Sequence, residues 1–134
     1  DSLVGGPDND QLFGNAGHDN LDGGDNDDYL DAADGDDYLT GGSGNDQLFA
    51  GPGLDSLYGE SGEDLLHGNQ DGDFLDGGTG PDQIFGDEAE DILLGGDGDD
   101  YLDGNAGGVG NIVNGQDGTD TCLNGTFSNC EIFP

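Results

Sequence analysis

The feature that most constrains this chain is an aspartate at every ninth position. Twelve aspartates follow one another at this spacing without a gap, and an aliphatic residue stands two positions after each of them. The series slips by two residues at Gly108-Val109-Gly110 and then resumes. Its members are Asp1, Asp10, Asp19, Asp28, Asp37, Asp46, Asp55, Asp64, Asp73, Asp82, Asp91, Asp100, Asn111 and Asp120. A repeat of this length predicts a solenoid, in which each unit buries its apolar residue only against neighbouring units.

Glycine gives each unit its shape. Most units open with a Gly, and a second Gly recurs three residues later, as in Gly41 and Gly44. Asp8, Asn26 and Asp71 replace that second Gly, and these residue types tolerate a positive φ. Ala89 also replaces it, and we expect strain or a changed turn there. Each unit is therefore expected to be a six-residue turn followed by a three-residue strand, whose middle aliphatic residue faces inward.

Stacked in parallel, such strands would form two sheets, with successive units alternating between them. Two nonapeptide units then make one coil, so the chain holds about seven coils. The glycine density excludes a helical alternative. The predicted fold class is all-β, a parallel β-roll or β-solenoid. We assign residues 1–123 to the roll and residues 124–134, where the repeat ends, to a C-terminal cap.

Charge narrows the choice of partner. The chain has 32 acidic residues and no Lys or Arg, which gives a formal net charge of −32. Without cationic side chains it cannot neutralise phosphates, so we exclude nucleic acid and an anionic membrane surface as ligands. Its apolar runs are too short for membrane insertion. Multivalent cations remain as the partners that could compensate this charge.

The same composition indicates that the cation is needed for folding. Apolar residues make up only 30% of the chain, so a metal-free chain should resemble a disordered polyanion. Calcium takes oxygen ligands from carboxylates and backbone carbonyls in flexible geometry, which Gly-rich turns can supply. Magnesium demands stricter geometry, and zinc or copper prefer imidazole and thiolate ligands that the turns lack.

All fourteen residues of the series with nine-residue spacing are predicted metal ligands. A turn on one edge meets the turn two units later, so Asp10 should share an ion with Asp28, and Asp19 with Asp37. This arrangement predicts about ten to twelve calcium ions. Further acids inside the turns either tune the affinity or are solvated surface charges; they are Asp25, Asp34, Asp36, Asp97, Asp99 and Asp117.

Some units match a known calcium-binding repeat at every specified position. Residues 41–49 read Gly-Gly-Ser-Gly-Asn-Asp-Gln-Leu-Phe and residues 95–103 read Gly-Gly-Asp-Gly-Asp-Asp-Tyr-Leu-Asp, against G-G-x-G-x-D-x-U-x, where U is aliphatic. The chain thus resembles the RTX (repeats-in-toxin) calcium-binding proteins over nearly its whole length. The resemblance implies a right-handed parallel β-roll with calcium between stacked turns, export from bacteria, and folding outside the cell. Ala32 and Ala50 depart from it by replacing the opening Gly, and Asn111 replaces the ligand Asp, which leaves calcium at that turn open.

Two cysteines, Cys122 and Cys130, lie close together near the C-terminus. A disulfide between them would staple the cap and indicate a secreted or extracellular location, such as a bacterial cell surface or matrix. The alternative is a pair of free thiols in a cytosolic protein.

Aromatic residues recur at outward strand positions and suggest a contact surface. On one sheet the pattern is Phe13, Phe49 and Phe85, with Tyr29, Leu65 and Tyr101 between them. Simple β-propensity explains such residues in strands, whereas an ordered exposed apolar patch marks an interface.

These observations favour a non-enzymatic extracellular structural protein. It would fold on binding calcium and self-associate, end to end or through the aromatic strand face, as a surface, matrix or filament component. The alternative is the C-terminal calcium-folding export module of a secreted hydrolase or toxin. An enzyme is disfavoured, because the sequence has no G-x-S-x-G elbow, no His-rich zinc motif and no phosphate loop with Lys.

Overall fold

The computed structural model describes residues 1–105 and 110–130, and in these residues the chain forms fifteen strands and no helix. The all-β prediction is therefore confirmed. The strands are β1 (Ser2–Gly6), β2 (Gln11–Ala16), β3 (Asn20–Asp25), β4 (Tyr29–Asp34), β5 (Tyr38–Ser43), β6 (Gln47–Pro52), β7 (Ser56–Ser61), β8 (Leu65–Gln70), β9 (Phe74–Thr79), β10 (Gln83–Phe85), β11 (Ile92–Asp97), β12 (Tyr101–Asp103), β13 (Ile112–Asp117), β14 (Thr121–Leu123) and β15 (Thr126–Ser128).

Successive strands alternate between two parallel sheets, as the nine-residue period predicts. The odd-numbered strands form an eight-stranded sheet in chain order, and the even-numbered strands form a seven-stranded sheet. Residues eighteen apart are paired, for example Leu21 with Leu39 and Leu48 with Leu66. The fold is thus the expected β-solenoid of about seven coils.

Pairing continues through the slip in the repeat. Gln83 still pairs with Tyr101, eighteen residues on, whereas Tyr101 pairs with Thr121 and Ile92 with Ile112, both twenty residues on. Two extra residues are therefore accommodated between the strands, without a break in either sheet. Residues 108 and 109, where the sequence predicts the slip, lie outside the described residues.

The core is one side chain thick on each sheet. The inward residue of each strand from Leu21 to Val113 is 0% exposed, and Leu12 and Cys122 close the ends of this column at 5% and 2%. The prediction that the middle aliphatic residue faces inward is correct. Each coil adds only one inward aliphatic residue per sheet, so the apolar core stays one side chain thick on each sheet along the solenoid.

Most strands are longer than the three residues that the sequence predicts. The second residue of a unit has a positive φ, 75° at Asn15, 72° at Ala33 and 73° at Glu60. This left-handed residue bends the chain around the edge while the backbone stays paired, as between Gly42 and Glu60. The three-residue prediction is therefore wrong for the six-residue strands. It holds for β10, β12 and β14.

Two of the three Asn and Asp residues that replace the second Gly adopt the left-handed conformation that their residue types tolerate, with φ 75° at Asn26 and 68° at Asp71. Asp8 does not have a positive φ, so the expectation is wrong at that turn. Ala89 has φ 87°, a conformation that costs an alanine about 1–2 kcal/mol. Of the two expectations for Ala89, strain or a changed turn, this φ supports strain.

The C-terminal segment extends the solenoid. Strand β15 pairs with β13, placing Phe127 beside Val113, and Phe127 packs against the core. The predicted Cys122–Cys130 disulfide is confirmed, with a Cα–Cα distance of 5.8 Å. Residues 131–134, which the sequence assigns to the cap, lie outside the described residues.

Candidate metal centre

The predicted ligands form two columns, one along each edge of the solenoid. Each ligand immediately precedes a strand, so the eighteen-residue register stacks every second one. Twelve of the fourteen are buried, at 4% exposure or less, while Asp10 is half-buried and Asp1 exposed. One column contains Asp1, Asp19, Asp37, Asp55, Asp73, Asp91 and Asn111, and the other contains Asp10, Asp28, Asp46, Asp64, Asp82, Asp100 and Asp120.

One oxygen of each buried side chain receives a hydrogen bond from the preceding coil. Asp10 N–H donates to Asp28 Oδ1 at 2.7 Å, and Asp19 N–H donates to Asp37 Oδ1 at the same distance. The pairs expected to share an ion are therefore direct neighbours in the columns. The same bond recurs along both columns at 2.7–3.1 Å. It fixes the orientation of each carboxylate.

The second oxygen of the carboxylate, Oδ2, has no donor. Among the described residues, eleven of these atoms are buried without a hydrogen-bond partner. A buried carboxylate oxygen without a partner is strongly unfavourable. The eleven belong to Asp19, Asp28, Asp37, Asp46, Asp55, Asp64, Asp73, Asp82, Asp91, Asp100 and Asp120.

Most of the orphaned oxygens lie close to a backbone carbonyl at the space left by an opening Gly, whereas Asp37 and Asp55 belong to units that open with Ala. A Cβ placed on Gly14 would lie 2.7 Å from Asp19 Oδ2 and 2.7 Å from the carbonyl oxygen of Ala32 in the next coil. The other opening glycines also have an Asp Oδ2 and, except at Gly86, a carbonyl oxygen from the next coil among their nearest atoms, apart from Gly104, where the side-chain atom is Asn111 Nδ2. Hydrogen-bond acceptors from two coils thus converge on one small volume at most of the turns that open with Gly.

The electrostatics of the columns are unfavourable for a metal-free chain. Burial raises the pKa of Asp73 to about 8 and that of Asp46 to about 7, although a backbone N–H bond to each carboxylate acts in the opposite direction. Repulsion from the column neighbours Asp64 and Asp28 raises the pKa of Asp46 further. The site therefore lacks positive charge where its carboxylates are most buried.

The donor set fits a hard cation. Within residues 1–105 and 110–130, no group of three or more His, Cys, Asp or Glu side chains converges as a metal cluster. The available ligands at a turn are instead carboxylate oxygen and backbone carbonyl oxygens from successive coils. Calcium accepts such a set, whereas zinc and copper favour nitrogen and sulfur.

Asn111 differs from the aspartates of its column. It is fully buried, and its Oδ1 accepts the Asp91 N–H at 2.8 Å, as the equivalent aspartates do. Its Nδ2, however, donates to the carbonyl oxygens of Gly104 and Asn124. The structure thus brings Asn111 to the predicted place but gives it a donor where an aspartate has an acceptor.

The additional turn acids are exposed, and some of them accept hydrogen bonds from the next coil. Asp36 Oδ1 accepts the Leu54 N–H at 3.1 Å, and Asp99 Oδ1 accepts the Thr119 N–H at 3.0 Å. Both carboxylates are exposed. They bond one coil to the next outside the two buried columns.

The aromatic face is more continuous than the sequence predicts. Six rings on the seven-stranded sheet form a ladder with centroid separations of 4.7–5.9 Å. His67, which sequence reasoning left out of this face, lies stacked between Phe49 and Phe85. The sequence spacing is enough to place His67 on this face, because His67 follows Phe49 by one eighteen-residue coil. The rings belong to Phe13, Tyr29, Phe49, His67, Phe85 and Tyr101.

The part of the chain that the structure describes contains no helix suited to crossing a membrane. In comparison with known proteins, a family model for the RTX calcium-binding nonapeptide repeat matches four times, at residues 1–30, 22–57, 40–75 and 76–108. The matches together extend over most of the chain. Neither the curated proteins nor the solved structures contain a match to it.

Proposed function

The chain belongs to the RTX calcium-binding nonapeptide repeat family, and from that premise we propose that it is a non-enzymatic extracellular scaffold that folds when calcium binds between its coils. One observation supports this most strongly. Eleven buried carboxylate oxygens have no hydrogen-bond partner among the described residues, and the turns that hold them are rich in carbonyl oxygens from neighbouring coils. A hard dication satisfies both sets of acceptors at once.

The aspartates of the two columns would hold the ions, together with carbonyl oxygens from the opening turns. When bound, calcium supplies positive charge and joins successive coils. Since the ligands come together only when the coils stack, binding and folding are coupled. About twelve dications would reduce the net charge from −32 to about −8, which removes most of the repulsion within the columns.

An extracellular location accounts for three features. The Cys122–Cys130 disulfide is typical of an oxidising compartment. Calcium-dependent folding suits export from a bacterium into a calcium-rich medium. The absence of Lys and Arg leaves trypsin-like proteases no cleavage site.

The exposed apolar side chains favour self-association of the protein. Phe13 is 49% exposed at one end of the aromatic ladder, and Tyr38 is 46% exposed on the other sheet. Sedimentation velocity in calcium should detect oligomers that disappear in the Phe13→Ser, Tyr38→Ser double variant. Monomers of the unsubstituted chain at millimolar calcium would refute assembly while leaving calcium-dependent folding intact.

Circular dichroism during a calcium titration tests the central proposal. We expect a disordered spectrum in chelator and a cooperative transition to β-structure as calcium is added. Magnesium at the same concentration serves as the matched control and should not support the transition, because it retains its waters and demands octahedral geometry. A full strand signal in chelator, or equal action of magnesium, would contradict the proposed function.

A further inference from the structure

We infer that the side-chain amide of Asn111 takes the place of a calcium ion at its position in the column. This inference rests on the proposed calcium function and concerns one position of one column. At that position the carboxylate of the repeat is replaced by its neutral isostere.

The described atoms around Asn111 match those around a buried aspartate of the same column. A Cβ on Gly104 would lie 2.6 Å from Asn111 Nδ2 and 2.5 Å from the Asn124 carbonyl oxygen. At Gly68 of the same column, the corresponding atoms are Asp73 Oδ2 at 2.5 Å and a carbonyl oxygen of the next coil at 2.8 Å. The amide nitrogen therefore occupies the place of the orphaned oxygen.

The orientation of this amide is determined by its hydrogen bonds. Its Oδ1 accepts the Asp91 N–H at 2.8 Å, while its Nδ2 donates to Gly104 and, at 3.3 Å, to Asn124. Reversing the amide would oppose its NH2 group to the Asp91 N–H and its oxygen to two carbonyl oxygens. Only one orientation satisfies all three backbone groups.

The bonding removes the reason for a cation at this turn. Nδ2 carries two hydrogens, and two carbonyl oxygens receive them. Accordingly, Asn111 is absent from the buried side chains with an unpartnered polar atom, although it is 0% exposed. A calcium ion placed here would meet the positive ends of two N–H bonds. The amide thus supplies the donors that a cation supplies elsewhere.

Counting bound calcium tests the inference. Native mass spectrometry of the full chain, at calcium concentrations that saturate folding, should show at least one more ion in Asn111→Asp than in the unsubstituted protein. The matched reverse change in the same column, Asp73→Asn, should lose at least one ion. Equal counts for Asn111→Asp and the unsubstituted chain would overturn the inference. A chain that binds no calcium at all would instead refute the proposed function.

A second measurement needs no variant and covers the case in which Asn111→Asp does not fold. In the calcium-loaded protein, NMR should show Asn111 side-chain amide protons that exchange slowly with water, with a scalar coupling through the hydrogen bond to the Gly104 carbonyl carbon. Rapid exchange of these protons at saturating calcium would overturn the inference, because it would mean that the amide does not donate to the buried carbonyls.

Discussion

The ligand positions from Asp28 to Asp100 and the position of Asn111 share one hydrogen bond but differ in the partner of the second side-chain atom. In both regions a side-chain oxygen accepts an N–H from the preceding coil, at 2.7–3.0 Å. In the first region the other side-chain atom is an unpartnered oxygen, whereas at Asn111 it is a nitrogen bonded to two carbonyls. The comparison teaches that each turn needs a donor, which a cation or an amide can provide.

The two regions also differ in what holds their coils together. The regular coils have hydrogen bonds and a single layer of aliphatic side chains, so their cohesion should follow the calcium concentration. The C-terminal coil adds a disulfide and strand β15. Its other edge still carries the orphaned Asp120 oxygen, so only one of its two edges is independent of metal.

Removing a ligand from the middle of a column should have the largest effect. Asp73→Ala eliminates a buried carboxylate and leaves the facing carbonyls without their cation. We expect the free energy of unfolding at saturating calcium to fall by about 3–5 kcal/mol, as for breaking a buried charge pair. Urea denaturation followed by circular dichroism measures it. Asp22→Ala changes the charge equally at an exposed site and should cost no more than about 0.5 kcal/mol; equal losses would contradict a column of ligands.

A core substitution tests whether the thin aliphatic layer matters as well as the metal. Leu57 is 0% exposed, so Leu57→Ala should lower the free energy of unfolding by about 2–5 kcal/mol through lost burial and a cavity. Leu54 is 64% exposed and provides the matched control, with an expected change within about 0.5 kcal/mol. If both variants unfold at the same urea concentration, calcium alone would hold the regular coils.

Reducing the disulfide should destabilise only the C-terminal coil. The bridge closes a loop of eight residues, for which chain entropy gives a contribution of about 2–3 kcal/mol. In the calcium-loaded protein, adding dithiothreitol should accelerate hydrogen exchange in residues 111–130 and leave it unchanged in strands β6 to β8. Acceleration spread evenly over all coils would show that the two regions are not separable.

Protonation of the buried carboxylates is a third way to supply a hydrogen-bond donor at Oδ2, and we expect it to have the smallest effect on folding. Because burial raises the pKa of Asp73 to about 8 and of Asp46 to about 7, the metal-free folded state binds more protons than the unfolded chain. That contribution to stability is complete below the unfolded pKa, near 3.8, and is lost as the pH rises through 7 to 8. Because the carboxylates of the unfolded chain are ionised at both pH values, protons that bind only the folded state should lower the calcium midpoint for folding severalfold from pH 8 to pH 6. Circular dichroism titrations at the two pH values measure this shift, and a higher midpoint at pH 6 would contradict it.

The regular part of the architecture was predictable because one constraint recurs in every unit. The aspartate and aliphatic positions predict the alternation of strands, the inward column from Leu21 to Val113 and the two ligand edges. The neighbour pairs Asp10–Asp28 and Asp19–Asp37 follow from the same period. In each case a single residue type, repeated at one spacing, determines the contact.

The rest depends on details that the repeat does not display. The left-handed second residue is Gly in some units but Ala33 or Glu60 in others, so its conformation is imposed by strand pairing and not by residue type. The place of His67 between two phenylalanines follows from register, but the alternation of Phe and Tyr obscures it. To predict that Asn111 acts as a hydrogen-bond donor, the positions of two backbone carbonyl groups must be known, and residue spacing does not give them.

A crystal structure of the calcium-loaded protein, with ions located by anomalous scattering, tests the account most directly. It should place an ion beside each buried Asp Oδ2 at about 2.3–2.6 Å, with carbonyl oxygens of the adjoining coil in the same coordination sphere. The turn at Asn111 should contain no ion. A folded solenoid whose aspartate turns hold only water would contradict the claim that cations satisfy these turns.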